Sequence, residues 1–447
     1  MVKVRSRSKI DRGCDAGMGD FLHGQDVAKL IFPHLLRISR DRGVVPPMRI
    51  GFLFNHDQVH QMAHSLPVAM ALARAGTGAE IVVATTTERL EREAVRLMGG
   101  SVPEGIRLAA LRLRSVVSRG LDGLLGSIVP AAKLLIYRDN LDFFRSLDIL
   151  VVTERTSLIL KTRYGLSSLR MVLTDHGAGD RAIGFGRSAA LFDHILAAGP
   201  KIRDRLTREA GVCPDRLTIT GYPKFDIATG QERPIKFRGS NRPIVLYNPH
   251  VSPHLSSWYK EGKAVLDYFL GSDRYNLIFA PHIMMFERRM AVTIDKLRLG
   301  LPGTLPARYA AAPNIHIDLG STALTDMSYT NGADIYLGDV SSQIYEFLKS
   351  PRPCLFLNSH GIDADEDPNF AHWQSGPVIS RASDLDHGLE EAVADHAARY
   401  RPVQRRLFDH TFDLTAEPSS VRAARTIACL ARGGKPGARS VDDRLAH

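Results

Sequence analysis

Short apolar runs bounded by Gly, Pro, Asp or His recur along this 447-residue chain, and stretches with helical spacing fill the gaps between them. In the first half such runs occupy 49–54, 81–84, 106–111, 148–152, 170–174, 195–198 and 217–220. In the second half they occupy 244–247, 277–280, 315–317, 333–337, 354–357 and 378–379. Apolar residues at helical spacing mark 56–73, 87–98, 200–210 and 258–270, with Thr87 placed to cap the second of these. Strands that alternate with helices are joined by crossovers rather than hairpins. Each half is therefore expected to form a parallel, doubly wound sheet.

Residues 229–242 are polar, contain glycine and proline, and read as a linker. The expected organisation is a basic extension over 1–46, a first domain over 47–228 carrying the acceptor, and the linker 229–242. A second domain over 243–415 carries a nucleotide donor, and a C-terminal helix (420–430) and tail complete 416–447. Two Rossmann-like parallel-sheet domains facing a cleft, with a C-terminal helix, make up the α/β architecture known as GT-B. Ligands of such sheets bind beyond the carboxyl ends of the strands, so the cleft is where chemistry is expected.

Composition narrows the partners. The net charge of +10 favours an anionic partner: a nucleotide, a phosphopolymer or an acidic lipid surface. Nucleic acid is not expected, because zinc-finger spacing, an RNP-type aromatic motif and a Lys-rich arm are all missing. Cys14, Cys213, Cys354 and Cys429 are scattered without metal-ligand spacing, and Cys354 and Cys429 read as core residues of a reducing, cytoplasmic compartment. No stretch approaches 18 uninterrupted apolar residues, and the N-terminus has no apolar segment of a secretory signal. An apolar patch over 27–38 with basic flanks, and the basic-apolar stretch 116–144, are the places where the chain would meet the inner face of the cell membrane.

Four groups lie just past strand ends. They are His176 in Asp175-His176-Gly177, His282 in Ala280-Pro281-His282, Asn248-Pro249-His250, and the turn Gly338-Asp339-Val340-Ser341-Ser342 leading to Glu346. Histidine suits removal of a proton from a hydroxyl nucleophile, and its protonated form suits charge on a departing diphosphate. Ser341 or Ser342 can cap the helix that follows and present its N–H groups to a phosphate. Glu346, about one turn on, is placed for a ribose hydroxyl. Asp339, Asn248 and Arg352 complete the donor-side candidates.

His56 and His60 have helical i,i+4 spacing, but Asp57 stands where a zinc protease helix needs Glu and no third ligand is evident. They read instead as acceptor-side contacts, and no metal is expected. Asp363-Ala364-Asp365 reads as a solvated acidic loop. The run 177–182 imitates a dinucleotide fingerprint, but Gly184 and Gly186 fall where that motif needs an unbroken helix. There is no P-loop sequence.

His176-Gly177, Gly221-Tyr222-Pro223-Lys224-Phe225-Asp226, Pro281-His282, Gly338-Asp339-Val340-Ser341-Ser342 with Arg352-Pro353 behind it, and Gly376-Pro377-Val378 occur in one order. That set resembles the CDP-glycerol glycerophosphotransferase family, which primes and polymerises glycerol-phosphate teichoic acids, over roughly residues 148–395. The resemblance implies transfer of a polyol phosphate from a CDP-activated donor to a hydroxyl, with peripheral membrane attachment and no further cofactor. It implies His176, beside Asp175, as the base on a phosphopolymer or lipid-linked acceptor. His282 would act on the donor diphosphate, Ser341 and Ser342 on phosphate, and Glu346 on ribose. The chain departs from the family at Asp175, where an aromatic residue is usual, and at Gly338-Asp339-Val340, where Thr-Asp-Tyr is common. A GT-B sugar transferase, a nonhydrolysing UDP-sugar 2-epimerase and a catalytically silent nucleotide-binding protein are the alternatives.

Overall fold

In the computed structural model, residues 47–55, 59–115, 131–174, 177–227, 237, 240–287, 290–293 and 298–436 are described. The first half contains Arg49–Phe54 (β1), Glu80–Thr85 (β2), Ile106–Ala110 (β3), Ile149–Val152 (β4), Arg170–Thr174 (β5), His194–Ala197 (β6) and Leu217–Ile219 (β7). These seven form one parallel sheet in the order β3-β2-β1-β4-β5-β6-β7. The second half contains Ile244–Asn248 (β8), Asn276–Phe279 (β9), a hairpin of Ala291–Thr293 (β10) and Arg298–Gly300 (β11), then Ile315–Ile317 (β12), Ile335–Gly338 (β13), Cys354–Leu357 (β14) and Val378–Ile379 (β15). Its six-stranded parallel sheet runs β12-β9-β8-β13-β14-β15. The apolar runs became strands because helices cover both faces of each sheet. Central strands such as β1 and β4 are buried along almost their whole length. The chain thus has the α/β, two-sheet GT-B fold.

Helices sit where the apolar spacing places them, with two instructive differences. Residues expected as one helix over 56–73 divide. Val59–His64 is a 3₁₀ turn, and the helix proper is Leu66–Arg74 (α1). Pro67 explains the break, since it lacks an N–H and is accommodated only in the first turn of a new helix. Glu88–Leu97 (α2) follows with Thr87 Oγ1 accepting from Leu90 N at 3.2 Å, the expected cap. Pro200–Ala210 (α3), Trp258–Gly271 (α4) and the short Gln343–Phe347 (α5) agree with the spacing.

The second difference lies at 385–411, where Leu385–Ala394 (α6) and Arg401–Thr411 (α7) are joined by a π-helical turn, His396–Tyr400. Sequence reading left this region without a helix. The residues fully buried from α7 are the polar Gln404 and Thr411, with Leu407 and Phe408 partly buried between them, so its apolar signal is short. Gln404 is held by hydrogen bonds instead, donating to the carbonyls of Arg352 and Ser375.

The last helix, Ser419–Ala431 (α8), returns to the first sheet, where Ala423, Ala424, Ile427 and Ala428 join the core formed with α1. The run Gly221–Asp226 anchors it. Asp226 accepts from the N–H groups of Ser419 and Ser420 at 3.3 and 2.6 Å, capping α8 from a distance. Ser419 Oγ accepts from Tyr222 N at 2.9 Å. Gly221 has φ +83°, and a β-carbon there would lie 2.3 Å from Ser419 Oγ and 2.8 Å from the Asp413 carbonyl. A Gly221→Ala substitution is therefore expected to destabilise the protein by about 2 kcal/mol or more, from backbone strain plus the clash. A lowered urea midpoint with unchanged m-value checks it. Among the described residues no helix is long and apolar enough to cross a membrane.

Candidate functional site

Beyond the carboxyl ends of the two sheets lies a cleft of about 560 Å³. Its first wall is built from Gln61, Thr153 to Thr156 after β4, and Gly177, Gly179 and Arg181 after β5. Its second wall comes from His250 to Ser252 after β8, His282 after β9, and Val340 and Ser342 after β13. The walls come close together at the glycines. A β-carbon on Gly179 would stand 3.0 Å from Ser342 Cβ, and one on Gly177 would stand 3.9 Å from Ser342 Oγ. Glycine at 179 is what lets the two halves meet at this turn.

The two serines have different tasks. Ser341 is buried, and its Oγ lies 3.4 Å from Gln343 N, at the start of α5. Ser342 is exposed to the cleft, and its hydroxyl is bonded to no other described residue. His282 is half-buried and accepts from Met284 N through Nδ1 at 3.3 Å, which leaves its proton on Nε2. Burial, followed by the Arg181 charge, pushes the His282 imidazole down to about 4. It is therefore a neutral N–H donor at pH 7. An unfolded histidine takes up a proton near pH 6.5, whereas this one resists until about 4. Between those values the unfolded state binds more protons, so stability falls as pH drops from about 6.5 toward 4. Thermal unfolding across that window is expected to show a falling midpoint, and a His282→Gln variant to show a shallower fall.

The other donor-side candidates are engaged in holding the cleft together. Asn248 donates to the Ala280 carbonyl at 2.6 Å and accepts from Tyr336 Oη at 3.3 Å, tying β8 to β9 and β13. The buried Asp339 carboxylate accepts from the N–H groups of His250 (2.9 Å), Ser257 (2.7 Å) and Val340 (2.6 Å), fixing the loop after β8. Burial raises its pKa, against those hydrogen bonds. Arg352 donates to the carbonyls of Thr330, Asn331 and Ala333 and lies over the Phe347 ring. These three act as braces. Glu346 is buried too, accepting from Lys224 Nζ at 2.6 Å and Tyr222 Oη at 3.2 Å. Lys224 in turn lines a second cavity of about 230 Å³, with Ile283 and Gly320 to Thr322. Ile283 of this second cavity directly follows His282 of the cleft in the sequence. Asp175, His176 and His56 lie outside the described residues. His60 belongs to the 3₁₀ turn at 59–64, which borders the cleft through Gln61.

Sequence reading missed a buried cluster beneath the glycine wall. The Asp180 carboxylate accepts from Lys201 Nζ (2.8 Å), from Tyr345 Oη (2.7 and 2.8 Å), and from the backbone N–H (3.0 Å) of His372. His372 Nδ1 is also 2.9 Å from this carboxylate, and its Nε2 is 2.9 Å from the Asp339 carbonyl. Burial alone would raise the Asp180 carboxyl, but the Lys201 charge and the His372 hydrogen bond outweigh it and hold it well below the usual range. Asp180 and Lys201 come from the first half, Tyr345 and His372 from the second. The cluster therefore pins the loop that carries Gly177 and Gly179 against the turn that carries Ser342. No group of three or more potential metal ligands occurs among the described residues.

A cleft between two parallel sheets, with its polar groups on the strand-end loops, is the ligand site of the GT-B architecture. No protein-family model and no curated protein matches the chain. Among solved structures, the wall teichoic acid polymerase TagF is similar over 90% of both chains, with a TM-score of 0.51 and 13% identity. A putative UDP-N-acetylglucosamine 2-epimerase from Listeria monocytogenes matches 88% of this chain and 100% of its own, with a TM-score of 0.53 and 12% identity. S. aureus MnaA in complex with UDP matches over the same shares at a TM-score of 0.55 and 12% identity.

Proposed function

We propose that the protein is a transferase that moves a polyol phosphate, of the glycerol phosphate kind, from a CDP-activated donor to a hydroxyl in cell-surface polymer synthesis. The observation that carries this reading is the meeting of Ser342, His282 and the Gly177–Gly179 wall in one cleft. A cleft-facing hydroxyl, a neutral imidazole N–H and a wall of glycines suit a diphosphate lying between the two halves. Supporting it, one TagF structure was obtained with CDPG, and the MnaA structure holds UDP. On this reading the nucleoside occupies the smaller cavity, where Glu346 acts through Lys224, and the diphosphate crosses into the larger one at His282.

In the reaction the acceptor hydroxyl oxygen bonds to the phosphorus that carries the polyol, and the anhydride bond to the nucleotide phosphate breaks. His176 takes the hydroxyl proton, and His282 donates a hydrogen bond to the departing charge. The acceptor is a phosphopolymer or lipid-linked alcohol held against Gln61 and Thr153 to Thr156. The protein works at the inner face of the cell membrane.

Calorimetric titration with CDP-glycerol, CDP-ribitol, UDP-glucose and UDP-N-acetylglucosamine tests the donor. Micromolar binding of the CDP compounds, weakened about tenfold or more by His282→Ala, is expected. Preferential binding of the UDP-sugars would move the assignment to a sugar transferase or 2-epimerase. Sedimentation with anionic vesicles at low salt, with and without residues 1–46, tests the membrane part.

A further inference from the structure

The smaller cavity carries a hydrogen-bonding pattern of its own. It lies beyond the carboxyl end of β12, where the loop holding Thr322 and Asp326 meets Arg96 and Leu97 of α2 and Ile283 after β9. Asp326 is half-buried. Its Oδ1 accepts from the N–H and the hydroxyl of Ser328 at 3.0 and 2.6 Å, at the start of the short helix Ser328–Gly332. Its Oδ2 accepts from no other described residue. Arg96 is within electrostatic reach of Asp326, but it gives Nε and Nη2 to Glu93, both at 2.8 Å.

The turn that presents this carboxylate is fixed. Met327, the next residue, is buried and holds φ +71°, in the left-handed region that a residue with a β-carbon enters at a cost. Thr322 is exposed and lines the same cavity, and its hydroxyl is bonded to no other described residue. The loop therefore offers an acceptor that cannot donate, together with a hydroxyl that can do both.

These two groups match the edge of one kind of ring. Cytosine carries an amino group at N4 next to an acceptor at N3, whereas uracil carries a carbonyl at the same corner next to an N–H. A carboxylate accepts from the amino group and repels the carbonyl. Leu97 and Ile283 supply apolar contact for the ring. At about 230 Å³ the cavity lies below the roughly 300 Å³ where most ligand pockets begin, which favours a single ring over a purine.

We propose that Asp326 selects the base of the nucleotide donor, accepting from the N4 amino group of cytosine while the Thr322 hydroxyl donates to N3. The inference rests on the reading that places the nucleoside in this cavity, and it assigns the choice of cytidine over uridine to one carboxylate.

CDP and UDP are titrated calorimetrically into the full-length protein and into Asp326→Asn. Asparagine caps a helix as well as aspartate does, so the turn is kept, while its amide can serve the uracil carbonyl. Wild type is expected to favour CDP by about 10–100-fold, the range for one discriminating base contact, and the variant to bring the two within about threefold. CDP dimethylated at N4 keeps the ring but has no N–H to give. It should bind wild type as weakly as UDP, a result that depends on no variant. A CDP preference that survives unchanged in Asp326→Asn, or full-strength binding of the dimethylated analogue, overturns the role of Asp326 and leaves the CDP donor in place. A wild type that binds neither nucleotide, or does not favour CDP, overturns it as well. An Asp326-dependent preference without transfer from CDP-glycerol would retain the base site and remove the transferase reading.

Discussion

Replacing Asp180 by alanine is expected to destabilise the protein by about 3–5 kcal/mol, the usual cost of removing one partner from a buried ion pair. The carboxylate holds Lys201, Tyr345 and His372 together, and Asp180 and Lys201 are both nearly inaccessible to solvent. Without it, the Lys201 ammonium and the His372 N–H face no counter-charge. Against a total stability of about 5–15 kcal/mol this is a large fraction, and a clear drop in the urea midpoint should report it.

The loss carries a pH signature. Burial already pushes Lys201 down to about 8, with Asp180 opposing that fall. With Asp180 gone it falls further, so the folded variant sheds this proton at a pH where the unfolded chain, near 10.4, keeps it. Stability rises with pH wherever the unfolded state binds more protons. The deficit of Asp180→Ala relative to wild type should therefore be largest just above the ordinary carboxylate range of about 4, because below it the wild type loses the stabilisation of its depressed Asp180 carboxyl, and it should narrow as pH approaches about 8. Above that, the wild-type lysine also deprotonates and the two curves run in parallel. A deficit independent of pH would mean that Lys201 is not the group left exposed to the vacancy.

The second large effect is kinetic. His176→Ala is expected to lower transfer about 10²–10⁴-fold, the range for loss of a positioned general base, while donor affinity stays within a few-fold of wild type. Gly177, the next residue in the sequence, lies in the wall that meets Ser342, and the work assigned to His176 is on the acceptor hydroxyl, not on the donor. His282→Ala should behave differently, weakening donor binding as well as turnover. If His176→Ala instead abolished donor binding and left residual turnover proportional to occupancy, the division of labour between the two histidines would be wrong.

Much of the scaffold was legible because its determinants are local. Runs such as Arg170–Thr174 are apolar, short and bounded, and they pair in register with Ile149–Val152 as buried parallel strands do. The turn at Ser341-Ser342 was legible for the same reason. Its strand, capping serine and helix lie within a dozen residues.

What was illegible depends on distance along the chain. Asp180 finds Lys201, Tyr345 and His372 at separations of 21, 165 and 192 residues, and no local pattern signals that meeting. Asp180 and Arg181 were even visible in a conspicuous glycine-rich run, but only the fold shows one as a strut and the other as a cleft cation. Glu346 is a milder case. Its position after the turn was readable, but its pairing with Lys224 and Tyr222 required the Gly221–Asp226 run to be folded against α5. Helix α7 escaped because its two fully buried residues, Gln404 and Thr411, are polar, and Gln404 is held by hydrogen bonds rather than by apolar spacing.

The central claim is that the cleft transfers a polyol phosphate out of a CDP diester. Phosphorus-31 NMR of the protein incubated with CDP-glycerol and a glycerol-phosphate oligomer tests it most directly. The account predicts release of CMP that depends on the acceptor, with a matching gain of phosphodiester signal, and loss of both in His176→Ala. Intact CDP-glycerol after prolonged incubation, together with conversion of UDP-N-acetylglucosamine to its 2-epimer by the same preparation, would contradict it.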